Sequence, residues 1–186
     1  MFSYCPMWMG QYDFWQSQVR GEGGNCDIFS TTMYYPENAL SRSISLIKDA
    51  VNGEREDEMF YDYLISVAPS QKDKMIIAGI RDDERKHNKM FRQLYCELTG
   101  VKLSPAQEDV DFTPPRNYLD GIEKALFGEL GAVERYRQIL FGLTERHQIN
   151  MVTEITTDEL KHASKYNFLF TENTRDHNYQ TKLQTK

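Results

Sequence analysis

The chain has 186 residues, of which 40% are apolar and 12% aromatic, and this composition suits one globular domain with a sizeable core. Its net charge is −6 and its acidic residues are spread along the sequence, which argues against a nucleic-acid partner because no basic face is available for a phosphate backbone. No apolar run approaches the roughly 20 residues needed to cross a bilayer and residues 1–10 lack a signal-peptide pattern, so we expect a cytoplasmic protein without a membrane partner.

The N-terminal region, residues 1–35, is an arm rich in aromatic residues, methionine and glycine, without a sustained helical period. Pro36 and Glu37 suit the first turn of a helix, and the apolar spacing extends this helix to Ala68-Pro69-Ser70. Its core stripe alternates steps of four and three, which is typical of one buried helix face: Leu40, Ile44, Ile47, Val51, Glu54, Glu58, Tyr61 and Ile65.

Three further helices are predicted downstream. The second covers about residues 70–99 and ends at Gly100, which suits a C-cap. Residues 101–116 contain three prolines, cannot form a continuous helix and are long enough to travel the length of a bundle. The third and fourth helices have stripes over 119–143 and 152–169, joined by a short connection near Thr144. We therefore predict an all-α, antiparallel four-helix bundle over 36–172, built from two hairpins and a long crossover, with a polar tail at 173–186.

The two predicted hairpins repeat at an offset of 75 residues. Gly53-Glu54 matches Gly128-Glu129, and Tyr61 matches Tyr136. The second helix of each hairpin matches as well, because Asp83-Glu84-Arg85-Lys86-His87 aligns with Asp158-Glu159-Leu160-Lys161-His162. Each hairpin thus supplies one glutamate and, 30 residues later, a Glu-x-x-His.

This repeat predicts a site for two metal ions. Residues three apart on a helix share a face, so the Glu and His of one Glu-x-x-His can bind an ion together. Four buried carboxylates need compensation, and the same stripes carry no Lys or Arg, whereas two divalent ions supply +4 against −4. A bundle that keeps the pattern without the metal is the alternative. The six predicted ligands all lie on core stripes: Glu54, Glu84, His87, Glu129, Glu159 and His162.

On these motifs, residues 36–172 resemble the rubrerythrin branch of the ferritin-like di-iron carboxylate superfamily. The resemblance implies a ferritin-like bundle with two iron ions, although manganese and zinc also bind such ligands. It also implies that Glu54 and Glu129 are each the single carboxylate ligand from their helix. Glu84 and Glu159 would then bridge or chelate, and His87 and His162 would each cap one iron. Tyr61 and Tyr136 match the tyrosine that follows the Gly-Glu pair in this family.

The chain departs from rubrerythrin in two respects. It lacks the two Cys-x-x-Cys loops of a rubredoxin domain, so electrons must come from an external donor protein. Ala132 stands where rubrerythrin has an extra carboxylate and His162 where it often has an acid, so a symmetric six-ligand site is implied. Asp57 and Glu58 could replace the missing acid, or they are ordinary acids on a charged helix.

Further residues are candidates for roles around the metals. Asp83 and Asp158 each precede a histidine by one turn, where a carboxylate could accept an imidazole N–H; the alternative is a solvated surface acid. Tyr61 and Tyr136 are either simple core aromatics or phenols that donate to a ligand carboxylate. Cys5, Cys26 and Cys96 form no Cys-x-x-Cys pair, so free thiols are the simple interpretation. The alternative is a metal or redox role for Cys5 and Cys26.

The function expected from this resemblance is reduction of hydrogen peroxide or oxygen at a di-iron centre. One alternative is an iron-binding storage protein in which the site oxidises iron. Another is a non-catalytic, coat-like structural protein stabilised by its metals. The density of large apolar residues in the arm, including Trp8 and Trp15, favours an interface, and we expect a homodimer.

Overall fold

The computed structural model describes residues 38–104 and 112–184, except the side chains of Glu54 and of residues 176–184. These residues form helices and no strand, which confirms the all-α prediction. The arm, with Cys5, Cys26 and its two tryptophans, lies outside the described residues, so the predictions about it stay predictions. No helix in the described part of the chain combines the length and apolar character needed to span a membrane.

The described residues contain five helices: α1 (Ala39–Asn52), α2 (Glu54–Val67), α3 (Gln71–Thr99), α4 (Tyr118–Leu140) and α5 (Arg146–Gln184). The start of α3 is capped by Ser70, whose hydroxyl accepts from the amide of Asp73 at 3.1 Å. Asn117 caps α4 in the same way, through the amide of Asp120 at 3.0 Å. Gly100 ends α3 in the left-handed conformation, with φ of 73°, as the sequence predicts.

The predicted first helix is broken at Gly53, between α1 and α2. Gly53 keeps right-handed backbone angles (φ −77°, ψ −7°), and its carbonyl still accepts from the amide of Asp57 at 3.1 Å. The expectation of one uninterrupted helix is therefore wrong, and the break falls immediately before the predicted ligand Glu54.

The last helix is longer than the sequence pattern predicts. The apolar stripe ends near Glu172, whereas the backbone of α5 stays helical to Gln184. Polar contacts to the first turn of α3 support this extension, because Lys72 lies 3.5 Å from the carboxylate of Glu172. The Asn173 side chain also donates to Asp73 at 2.8 Å.

Helix α3 packs against α1, α2 and α5, and α4 packs against the same three helices. Two apolar clusters fill the interior. One contains residues of α2, of the start of α3 and α4, and of the later part of α5: Tyr61, Leu64, Ala68, Ile77, Ile80, Ile122, Ala125, Tyr166 and Leu169. The other contains Ile47, Val51, Phe91, Leu94, Ile139, Leu143, Val152 and Ile155. On α3, α4 and α5 the predicted metal ligands fall between the two clusters.

Candidate metal centre

Five of the six predicted ligands converge in the polar layer between the two apolar clusters. Helix α3 supplies Glu84 and His87, α4 supplies Glu129, and α5 supplies Glu159 and His162. One ligand atom from each of Glu84, Glu129, Glu159 and His162 lies within 4.8 Å of the others, and this grouping could hold a metal ion. The structure does not describe the side chain of Glu54, the sixth predicted ligand, so its role stays a prediction.

Four of these five charged residues are buried, and Glu84 is half-buried. His162 and Glu159 are 0% and 1% exposed, and His87 and Glu129 are buried as well. Four of their inward atoms have no hydrogen-bond partner, although native interiors seldom leave buried polar atoms unsatisfied. Carboxylate oxygens and imidazole nitrogens are ligands that divalent transition metals accept, so the residues fit a metal ion. The four atoms are Glu84 Oε1, His87 Nδ1, Glu159 Oε1 and His162 Nδ1.

Glu84 and Glu159 each face both histidines. The two oxygens of Glu84 lie 3.5 Å from His87 Nδ1 and 2.9 Å from His162 Nδ1. Those of Glu159 lie 3.2 Å from His87 Nδ1 and 3.8 Å from His162 Nδ1. The two shortest of these approaches join atoms that make no hydrogen bond. This placement agrees with carboxylates that bridge two halves of one site.

The outer nitrogen of each histidine contacts an aspartate of the opposite helix. His162 Nε2 lies 3.0 Å from Asp83, and His87 Nε2 lies 3.2 Å from Asp158. The two pairs run in opposite directions along α3 and α5, so these helices are antiparallel here. A proton held between Nε2 and the aspartate leaves Nδ1 to face the buried carboxylates, which fixes the ring orientation.

A lysine closes the outside of this layer. The ammonium of Lys161 lies 2.6 Å from Asp158 and 3.5 Å from Asp83. Although partial burial acts in the other direction, the hydrogen bond with His162 and the charge of Lys161 lower the pKa of Asp83. Hydrogen bonds with Lys161 and His87 lower the pKa of Asp158 in the same way. Lys165 also lies 3.8 Å from Asp83, so the two lysines together balance the charge of the two aspartates.

Without a metal ion, protons compensate the buried carboxylates. Burial opposes a charged imidazole, but contacts with Glu159 and Glu84 outweigh it and raise the pKa of His87 to about 10. The corresponding contacts with Glu129, Glu159 and Glu84 raise the pKa of His162 to about 12. Burial and neighbouring carboxylates also raise the pKa of Glu129 well above its usual value. The two histidines hold the pKa of Glu159 down to about 2 despite its burial.

The two predicted tyrosines differ in their surroundings. The hydroxyl of Tyr61 donates to Glu129 at 3.4 Å, as the ligand-carboxylate interpretation expects. The ring of Tyr136 packs against Phe91 with centroids 4.9 Å apart, and its hydroxyl makes no hydrogen bond within the described residues. Tyr166 is fully buried in the apolar cluster that contains Tyr61, and its hydroxyl has no hydrogen-bond partner. The sequence signal for this hydroxyl was the 75-residue repeat, since the matching position of the first hairpin is Phe91, which has no hydroxyl.

The two acids that follow Glu54 also differ. Glu58 is half-buried and pairs with Arg85 at 3.0 Å and with Arg55 at 3.8 Å, which favours its interpretation as an ordinary acid. Asp57 lines cavities beside Glu84, where desolvation and the charge of Glu84 raise its pKa to about 6.

Comparison with known proteins gives a likeness without a function. No model of a known protein family matches the chain. The uncharacterized protein YhjR of Bacillus subtilis (strain 168) is 28% identical over 134 residues, which cover 70% of this chain and 90% of that protein. A solved structure of a hypothetical protein from Pyrococcus furiosus has a TM-score of 0.57 and 21% identity, covering 71% of this chain and 88% of that one. The chain therefore shares its helical fold with this archaeal protein.

Proposed function

We propose that this protein is a rubrerythrin-like member of the ferritin-like di-iron superfamily, with a ferritin-like four-helix bundle and no rubredoxin domain. It reduces hydrogen peroxide or oxygen with electrons from an external donor protein. The observation that carries the proposal is the convergence of four unpartnered, buried ligand atoms from two antiparallel helices. The proposed ligands of the two irons are Glu54, Glu84, His87, Glu129, Glu159 and His162.

Two features support two ions rather than one. Glu84 and Glu159 each lie near both histidines, so each carboxylate is positioned to serve two ions. Glu129 approaches His162 at 3.9 Å and belongs to one half of the site. The repeat gives the other half an equivalent carboxylate in Glu54.

A reduced pair of irons supplies two electrons to the oxidant, and the residues of this chain position and insulate that pair. Asp83 and Asp158 hold the protons on the outer nitrogens of the histidines. The hydroxyl of Tyr61 holds one oxygen of Glu129, and the two apolar clusters restrict water on either side of the layer. Conversion of one hydrogen peroxide to two water molecules consumes two electrons and two protons, which the donor and solvent must deliver.

Metal analysis of the native protein with an absorption spectrum is the first test. We expect about two iron ions per chain and a near-ultraviolet band in the oxidised protein. The iron-loaded protein should then consume peroxide when a reductant is supplied. The matched control is Glu58→Ala, which removes a carboxylate of α2 that already pairs with Arg85. Iron-loaded protein that reduces neither peroxide nor oxygen, or a chain that binds no metal, would refute the proposal.

A further inference from the structure

A cavity of about 400 Å³ lies between α2 and α4 and reaches the carboxylates of Glu84, Glu129 and Glu159. Its volume falls within the roughly 300–1,000 Å³ range of small-molecule sites and far exceeds the space that peroxide or oxygen needs. Another cavity beside the site, between α3 and the first two helices, measures about 40 Å³. That smaller space holds about three water molecules, so an organic molecule would have to use the larger one.

The larger cavity exists because α4 presents small residues to it. Ala125, Gly128 and Ala132 lie three and four positions apart, so they share one helix face. A Cβ atom added at Gly128 would meet nothing within 4 Å. The other walls include the rings of Phe60 and Phe112. The walls are therefore partly apolar, with charged and hydroxyl groups among them, and the cavity reaches the carboxylates of the proposed ligands.

Apart from the carboxylates of the proposed ligands, the charged residues that line the cavity balance in formal charge. Glu56 and Asp57 of α2 are offset by Lys124 and Arg135 of α4. In the proposed function, two divalent ions also neutralise the carboxylates at the inner end. Neither a strongly anionic nor a strongly cationic ligand is favoured by this arrangement.

We propose that this cavity binds a small, uncharged organic molecule with an apolar body and one polar end, and that the polar end lies against the carboxylates of the proposed ligands. The inference extends the proposed function by adding an organic ligand to the same site, and it rests on that function for the ions at the inner end.

Benzyl alcohol and benzoate are suitable probes, since they have similar shapes and differ in charge. Isothermal titration calorimetry should show benzyl alcohol binding to the metal-loaded protein at least about tenfold more tightly than benzoate. Gly128→Leu should weaken benzyl alcohol binding by at least about tenfold because the new side chain enters the cavity. Gly79→Leu is the matched control, since Gly79 lies on α3 outside the cavity and a Cβ there also meets nothing within 4 Å. Ala132→Leu is a second cavity-filling variant.

Equal affinity in wild type and both cavity-filling variants would overturn the inference, as would an absence of benzyl alcohol binding. With Co²⁺ as the bound metal, saturating benzyl alcohol should shift the visible spectrum, and an unchanged spectrum would overturn contact with the inner end. Metal content separates the two proposals. Benzyl alcohol binding to a chain that holds no metal would uphold the cavity and refute the proposed function. Two bound ions without benzyl alcohol binding would support the proposed function and refute the cavity inference.

Discussion

The metal-free protein should lose stability as the pH rises above about 6.5. In the folded, metal-free protein the pKa of His87 is about 10 and that of His162 about 12. The unfolded chain has an imidazole pKa of about 6.5. A group whose pKa is raised by folding stabilises fully below its unfolded pKa, and this contribution is lost as the pH rises toward the folded pKa.

The size of the effect follows from the two rings. For each imidazole that is charged only in the folded state, the free energy of unfolding falls by about 1.4 kcal/mol for every unit by which the pH rises. His87 and His162 together should cost about 2.8 kcal/mol between pH values of about 7.5 and 8.5. For a domain of this size that loss lowers the melting temperature by roughly 6–11 °C.

Urea unfolding of chelator-treated protein at these two pH values measures the change directly. Metal-loaded protein is the control, and its stability should not fall, because binding through Nδ1 replaces the protons that the rings would lose. A metal-free protein whose free energy of unfolding stays constant or rises over this interval would refute the charged state of the two histidines.

Three further predictions test other parts of the site and fold. Glu129→Ala and Glu54→Ala should reduce metal content to a similar extent, because each removes one carboxylate from an equivalent half, whereas Glu58→Ala should retain it. Metal analysis measures this, and a site emptied by Glu58→Ala would show that the ligand register on α2 is wrong. Asp83→Asn should weaken metal affinity by roughly 10–100-fold in a chelator competition, since it removes a charged acceptor from a histidine; unchanged affinity would contradict this role. Asp73→Ala should lower the free energy of unfolding by roughly 1–3 kcal/mol, because it removes the acceptor of two hydrogen bonds between helices. Folding lowers the pKa of Asp73, so wild type should lose this contribution below a pH of about 3.9, and identical urea midpoints at neutral pH would contradict the prediction.

The sequence alone determined that the chain is helical and which residues form most of the buried faces, although the first predicted helix is broken at Gly53 and Leu40 is 47% exposed. Steps of three and four place Glu84 and His87 on one stripe with Ile80 and Phe91, and that stripe must face the interior because most of its members are apolar. The same argument holds for Glu159 and His162. The 75-residue repeat then indicated that the polar positions meet at one level, and the structure brings five of the six predicted ligands together there.

Only the tertiary structure decided which groups touch across helices. Spacing within one helix places Asp83 near its own histidine, but the packing of α3 against α5 pairs it with His162. Gly53-Glu54 and Gly128-Glu129 have the same local sequence, yet the chain breaks at the first glycine and α4 continues through the second. A glycine costs about 1 kcal/mol in either helix, so the surrounding contacts determine whether the helix is interrupted. The cavity beside Gly128 likewise depends on where α2 lies, because residue spacing along one helix carries no information about the distance to its neighbour.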